Sequence, residues 1–173
     1  MNYYTGGIFM ITQLSTTFGS WNILNQIKKN NPSREMVVLS GTSSQTDLQL
    51  VDVSGKDSVF QTPIDYSVIN QYGESSWRGF FRFAFFNLPD EELRVFDSKV
   101  NHLMSAPEAP VGLQRLLVLE PKKHKNERVL LTIWQLDSDY SLWKRSASYT
   151  PFKTYTNGTY QFRDTNYTAY DLN

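Results

Sequence analysis

The amino-acid sequence predicts an α+β protein built on a ferredoxin-like plait, an antiparallel sheet with helices on one face. Three observations carry that prediction. Trp77 to Phe86 reads as a strand apolar on both faces, and the acid-led segment after it carries one apolar helical stripe. From residue 77 onward, strand and helix patterns then run in the order β-α-β-β-α-(α)-β. With 173 residues, of which 40% are hydrophobic, the chain can bury a substantial core.

Residues 1–11 read as loosely ordered, and Ile11 to Phe18 has strand character. Gly19-Ser20 opens a short helix with Trp21, Leu24 and Ile27 on neighbouring turns, and Asn30-Asn31-Pro32 ends it because proline cannot continue a helix. Glu35 to Ser40 and Leu48 to Val53 are rich in β-branched and aliphatic residues, as strands are, with a Ser/Thr/Gly loop between them. Ser54 to Asp57 reads as a turn, Val59 to Gln61 as a short strand, and Ile64 to Tyr72 as a helix stopped at Gly73. This N-terminal half, residues 1–76, looks like a partial version of the plait that occupies residues 77–173.

In the second half, Phe81, Phe83 and Phe85 alternate with Phe80, Arg82, Ala84 and Phe86, so the strand needs cover on both sides. Pro89 and the acids Asp90, Glu91 and Glu92 suit a helix start, and Leu93, Phe96, Val100 and Leu103 form its buried stripe. Strands follow at Leu113 to Glu120 and Val129 to Gln135, joined by a polar loop. Asp137-Ser138-Asp139 starts a helix whose inner side carries Tyr140, Trp143 and Ala147. Thr150-Pro151 opens a shorter helix ended by Gly158, and Thr159 to Tyr170 alternates as a last strand.

Composition excludes several function classes. Seventeen basic and seventeen acidic residues give a formal charge of zero, which offers no field for nucleic acid or an anionic membrane. Without cysteine there is no disulfide, thiolate chemistry or iron–sulfur cluster, and two histidines do not build a transition-metal site. The apolar run Ile8 to Ile11 is too short for a signal peptide or a membrane span, so a cytoplasmic location is expected. No phosphate loop, dinucleotide fingerprint or nucleophile elbow is present, and Ser141-x-x-Lys144 lacks the companion motifs of acyl-enzymes.

Arg82 is the residue that pattern alone singles out. A guanidinium inside a two-sided apolar strand needs an anionic partner, either a ligand carboxylate or an Asp or Glu of its own chain. Trp143 is either ordinary core at helical spacing from Tyr140 or the wall of a pocket for a flat ligand. His102 reads as a helix-end residue and His124 as part of a solvated hairpin tip.

The run Val59 to Glu74, followed by Gly79-Phe80, Val129 to Trp134 and Trp143, resembles the HmoB-type haem-degrading monooxygenases and staphylococcal TRAP. Both lie in the antibiotic-biosynthesis-monooxygenase (dimeric α/β-barrel) superfamily, and the likeness runs from about Thr16 to Tyr170. It implies a monooxygenase site with haem or another small planar molecule as substrate. Trp143 would be catalytic, and Phe80, Arg82, Ala84, Phe86, Tyr140 and Lys153 would line the substrate. It also implies either a homodimer or a pseudo-dimer within one chain.

The pattern departs in two places, where the family's asparagine falls on Ala84 and its iron-binding histidine on Lys153. Alanine has no hydrogen-bond donor, and an ammonium has no lone pair; stripping its proton at pH 7 costs roughly 4 to 5 kcal/mol. A non-catalytic ligand-binding or regulatory protein on the same scaffold is therefore the alternative expectation.

Overall fold

A computed structural model describes residues 10–41, 48–73 and 76–170. Most of the expected loose N-terminus and of the Ser/Thr/Gly loop lies outside the described residues. Eight strands close into one barrel: β1 (Gln13–Gly19), β2 (Met36–Gly41), β3 (Leu48–Asp52), β4 (Ile64–Tyr72), β5 (Phe80–Asn87), β6 (Leu113–Pro121), β7 (Glu127–Trp134) and β8 (Arg163–Ala169). The helices are α1 (Trp21–Asn30), α2 (Asp90–Met104) and α3 (Asp137–Lys144), and 3-10 turns cover Ala147–Thr156 and Gly158–Tyr160. Among the described residues, no helix is long and apolar enough to cross a membrane.

Around the barrel the order is β1-β3-β2-β8-β5-β7-β6-β4, and every pairing is antiparallel. Each half contributes four neighbouring strands in the same plait order, β4-β1-β3-β2 from the first and β8-β5-β7-β6 from the second. Pairing of β2 with β8 and of β4 with β6 joins them and leaves no free sheet edge.

Ile64–Tyr72 is a strand, where helical spacing predicts a helix. A bulge between Val68 and Asn70 inserts Ile69 into the ladder with β6, so the inward alternation Ile64, Tyr66, Val68 breaks at that point. Apolar side chains at 64, 68 and 72 fit a helix period, and past the bulge Tyr72 packs on the helix side, away from Tyr66 and Val68 inside the barrel. The β-branched and aromatic content of the segment favours the strand. Val59–Gln61 forms no strand, although Phe60 is buried beneath α1. Gly73 serves a close approach rather than a helix end: its φ is +88°, and a Cβ there would collide with the Gln114 carbonyl oxygen.

The second half follows the expected order, and β5 is covered on both faces. Phe81 and Phe83 enter the barrel interior with Leu14, Val51, Leu117 and Ile133. Ala84 and Phe86 lie on the outer face beneath Phe96, Val100, Phe152 and Tyr155 of α2 and the 3-10 segment. Arg128 of β7 anchors α2 by a two-pronged ion pair, Nε to Asp97 Oδ1 at 2.9 Å and Nη2 to Oδ2 at 3.1 Å, with Glu120 on Nη1. α3 ends at Lys144, which leaves Ala147 exposed rather than on its inner side.

Replacing Gly73 by alanine is expected to cost about 2 kcal/mol or more by urea denaturation, because the left-handed backbone and the Gln114 carbonyl both oppose a side chain. Gly158→Ala, which meets no atom within 4 Å, should leave stability nearly unchanged.

Candidate functional site

The residues predicted to form a pocket all lie on the helix side of the second half. Trp143 projects from α3 into a cluster of rings, with centroids 4.8 Å from Tyr149, 5.5 Å from Trp134, 6.1 Å from Tyr140 and 6.2 Å from Phe152. Its indole Nε1 donates to Ser148 Oγ at 3.0 Å. It is 5% exposed, and the faces that a flat ligand would use are occupied by protein rings.

Arg82 finds its partner within the chain. Nη2 donates to Asp137 Oδ1 at 2.6 Å, Nη1 donates to Asn166 Oδ1, and the guanidinium carbon lies 4.5 Å from the centre of the Tyr140 ring. An acid of the chain, one of the two partners open to Arg82 in the sequence, is in place at Asp137. Tyr140 separates Arg82 from Trp143 and donates its hydroxyl to Asp164 Oδ2 at 2.7 Å. Arg82 Nε and Asp164 Oδ1 are buried without a hydrogen-bond partner.

Phe86 and Ala84 are buried in the same cluster and Phe80 is half-buried at its edge, while Lys153 is exposed on the 3-10 segment. The structure thus brings Arg82, Tyr140 and Trp143 into one packed row and leaves Lys153 outside it. His102 and His124 are both exposed. Among the described residues, no group of three or more His, Cys, Asp or Glu side chains is placed to hold a metal.

The large opening is elsewhere, inside one end of the barrel. A cavity of about 850 Å³ lies on the opposite face of β5, against Phe83 and Phe85. Sequence reasoning does not find it, because its walls come from β1, β3, β4, β5, β8 and the β6–β7 hairpin. The available signal is a polar residue in step with an inward apolar one: Thr16 two residues after Leu14 in β1, and Gln49 two before Val51 in β3.

No protein-family model matches the chain. It is 28% identical over 88 residues to the signal transduction protein TRAP of Staphylococcus aureus, and 29% identical over 90 residues to that of Staphylococcus epidermidis. The match spans about half of this chain and about half the length of these relatives, 51% and 52% respectively. Among solved structures, a monooxygenase-like protein from Listeria innocua superposes with a TM-score of 0.77 at 18% identity, over 94% of this chain and 96% of that one. A major regulator of staphylococcal pathogenesis superposes at 0.75 and 18% identity, over 92% and 99%. A haem-degrading enzyme from Listeria monocytogenes does so at 0.67 and 20% identity, over 90% and 98%.

The chain has the fold of the antibiotic-biosynthesis-monooxygenase-like proteins. The resemblance in its sequence and the likeness of its fold agree. Within this fold, the helix side of the second half is packed and the barrel end is open.

Two expectations follow from the packed side. Asp137→Ala strips a buried guanidinium of its carboxylate, and because Asp137 is itself half-exposed the loss should be about 1–2 kcal/mol by chemical denaturation, partly recovered in Arg82→Met/Asp137→Ala. Burial, with the Asp164 carboxylate adding to it, pushes the Tyr149 phenol up from 10.0 to about 12, and burial also raises Tyr140. The unfolded chain therefore loses these protons first, so stability is full below pH 10 and falls as pH rises toward 12. Denaturation midpoints across that window should fall less in Tyr149→Phe than in the wild type.

Proposed function

We propose that this chain is a ligand-binding or regulatory protein that keeps the monooxygenase scaffold without its haem-cleaving chemistry. One observation carries the reading: the indole of Trp143 is enclosed by Trp134, Tyr140, Tyr149 and Phe152, where a flat substrate would have to lie. The neighbouring residues do not fit haem either. Arg82 is already neutralised by Asp137, Ala84 offers no donor, and Lys153 faces solvent. A signal transduction protein and a regulator of pathogenesis among the similar proteins support the same direction. Closure of the barrel within one chain supports a monomeric working unit.

A second reading has its own observation. Arg82 Nε and Asp164 Oδ1 are buried without partners in the row beside Trp143, which favours a monooxygenase acting on haem or another planar, oxidisable molecule once that row opens. The likeness to a haem-degrading enzyme from Listeria monocytogenes supports it in general terms.

Titration with haem separates the two. The proposed reading expects no saturable one-to-one complex with a shifted Soret band, and no bleaching when ascorbate is added. A one-to-one complex that bleaches under reductant in the wild type, and not in Trp143→Phe, would establish the oxygenase reading instead.

A further inference from the structure

We infer that the open end of the barrel interior is a binding site for a small aromatic acid that carries a ring hydroxyl or N–H. This rests on the ligand-binding reading above and gives it a ligand class, at a place separate from the helix-side row.

The space is suitable in size. An eight-stranded barrel is wide enough to hold one small ligand, and about 850 Å³ falls within the roughly 300–1,000 Å³ typical of small-molecule sites. The interior is filled only part-way. Phe81, Leu117 and Ile133 pack the closed portion, while Phe83 and Phe85 border the opening.

The walls select a flat apolar body. Phe83 and Tyr167 meet edge to face with centroids 5.5 Å apart, Phe83 and Phe85 stack at 6.4 Å, and Tyr66 adds a buried ring across the cavity.

Hydrogen-bonding groups inside the cavity lack partners. Thr16 Oγ1, Gln49 Oε1 and Thr165 Oγ1 are buried and unpaired, and all three residues line this one cavity. Thr16 is 0% exposed and Gln49 is 4% exposed. A buried group without a partner costs about 1–3 kcal/mol, so three such groups in the wall of one cavity favour an occupant, water or ligand, that supplies their bonds, and a ligand with a matching polar group displaces the water. The carbonyl of Gln49 can only accept, which requires a donor on the ligand; the threonine hydroxyls take either role.

Charge at the mouth sets the other end of the ligand. Lys122, Lys123, Lys125 and Arg163 line it, against Asp65 and Glu127; Lys125 is paired with Glu120 at 3.1 Å and Lys122 donates to Gln13 at 2.7 Å, which leaves Lys123 and Arg163 as the cations for an anionic ligand. Asp65 is engaged by Ser15 at 2.7 Å, and Glu127 lies 3.9 Å from Arg163, too far for a tight pair. The guanidinium of Arg163 lies over Phe85 at 4.0 Å and is 62% exposed, so its N–H groups are open to a ligand carboxylate at the mouth.

Anilinonaphthalene sulfonate is the probe, because it combines fused rings, an N–H donor and an anion. Its uncharged parent, N-phenylnaphthylamine, is the control. Fluorescence titration of the full chain should give saturable one-to-one binding. Gln49→Leu should weaken the sulfonate about tenfold, while Lys123→Glu/Arg163→Glu, which alters exposed positions only, should weaken it about tenfold and leave the parent unchanged.

Absence of one-to-one binding by protein with a cooperative melting transition overturns the site, as does unchanged affinity in both variants. Equal affinity for the parent and the sulfonate overturns the preference for an acid. Haem distinguishes this failure from failure of the functional reading. If haem is bound and bleached while the sulfonate still saturates its site, the functional reading fails and the barrel site stands.

Discussion

Strand β5 is apolar on both faces, and burying the two faces is the constraint on which this molecule depends. Seven of its residues from Phe80 to Phe86 include five phenylalanines, so exposure of either face would remove several large hydrophobic contributions of about 1.5–3 kcal/mol each. One face is covered locally, by α2, α3 and the 3-10 segment that follow it in the chain. The other is covered only if the first half supplies β1 to β4 and the barrel closes. Two long-range pairings, β2 with β8 and β4 with β6, therefore decide whether β5 is satisfied.

The two faces end up differently filled. Outside, the rings of Phe86, Phe96, Phe152 and Tyr155 meet at centroid distances of 4.9 to 6.3 Å and continue into the cluster around Trp143. Arg82 is held in this row by an acid, an amide and a ring of its own chain. Inside, side chains fill one end of the barrel, and at the other end buried hydroxyls and an amide oxygen lie in the wall of a cavity. Packing thus removes room where the fold's resemblance predicts chemistry and leaves it on the opposite side of the same strand.

Much of the fold is legible in the sequence because its signals are local. The alternating phenylalanines of β5, the stripe Leu93, Phe96, Val100 and Leu103, and the acid-rich start of α2 each reflect the element they form. Ile64–Tyr72 misleads because its apolar residues at 64, 68 and 72 fit helical spacing as well as alternation, and the bulge at Ile69 hides the strand's two faces. Whether the barrel closes within one chain or between two is not legible, since closure depends on strands more than forty residues apart finding one another.

The helix-side residues were readable from resemblance and the burial of Arg82 from alternation, but the choice of Asp137 as its partner required the turn after β7. Thr16, Gln49 and Thr165 come from three strands and share no motif. Their only common mark in the sequence is polarity at positions that alternation assigns to the interior.

The central claim is that this chain's room for a ligand lies inside the barrel and not against Trp143. Nuclear magnetic resonance mapping of the full chain with anilinonaphthalene sulfonate tests it most directly, because the indole N–H of Trp143 and the side chains of Gln49, Thr16 and Thr165 report on the two places separately. The account predicts shifts at Gln49, Thr16 and Thr165 with the Trp143 indole unmoved. Shifts centred on Trp143, Tyr149 and Phe152, with the barrel residues unmoved, would contradict it.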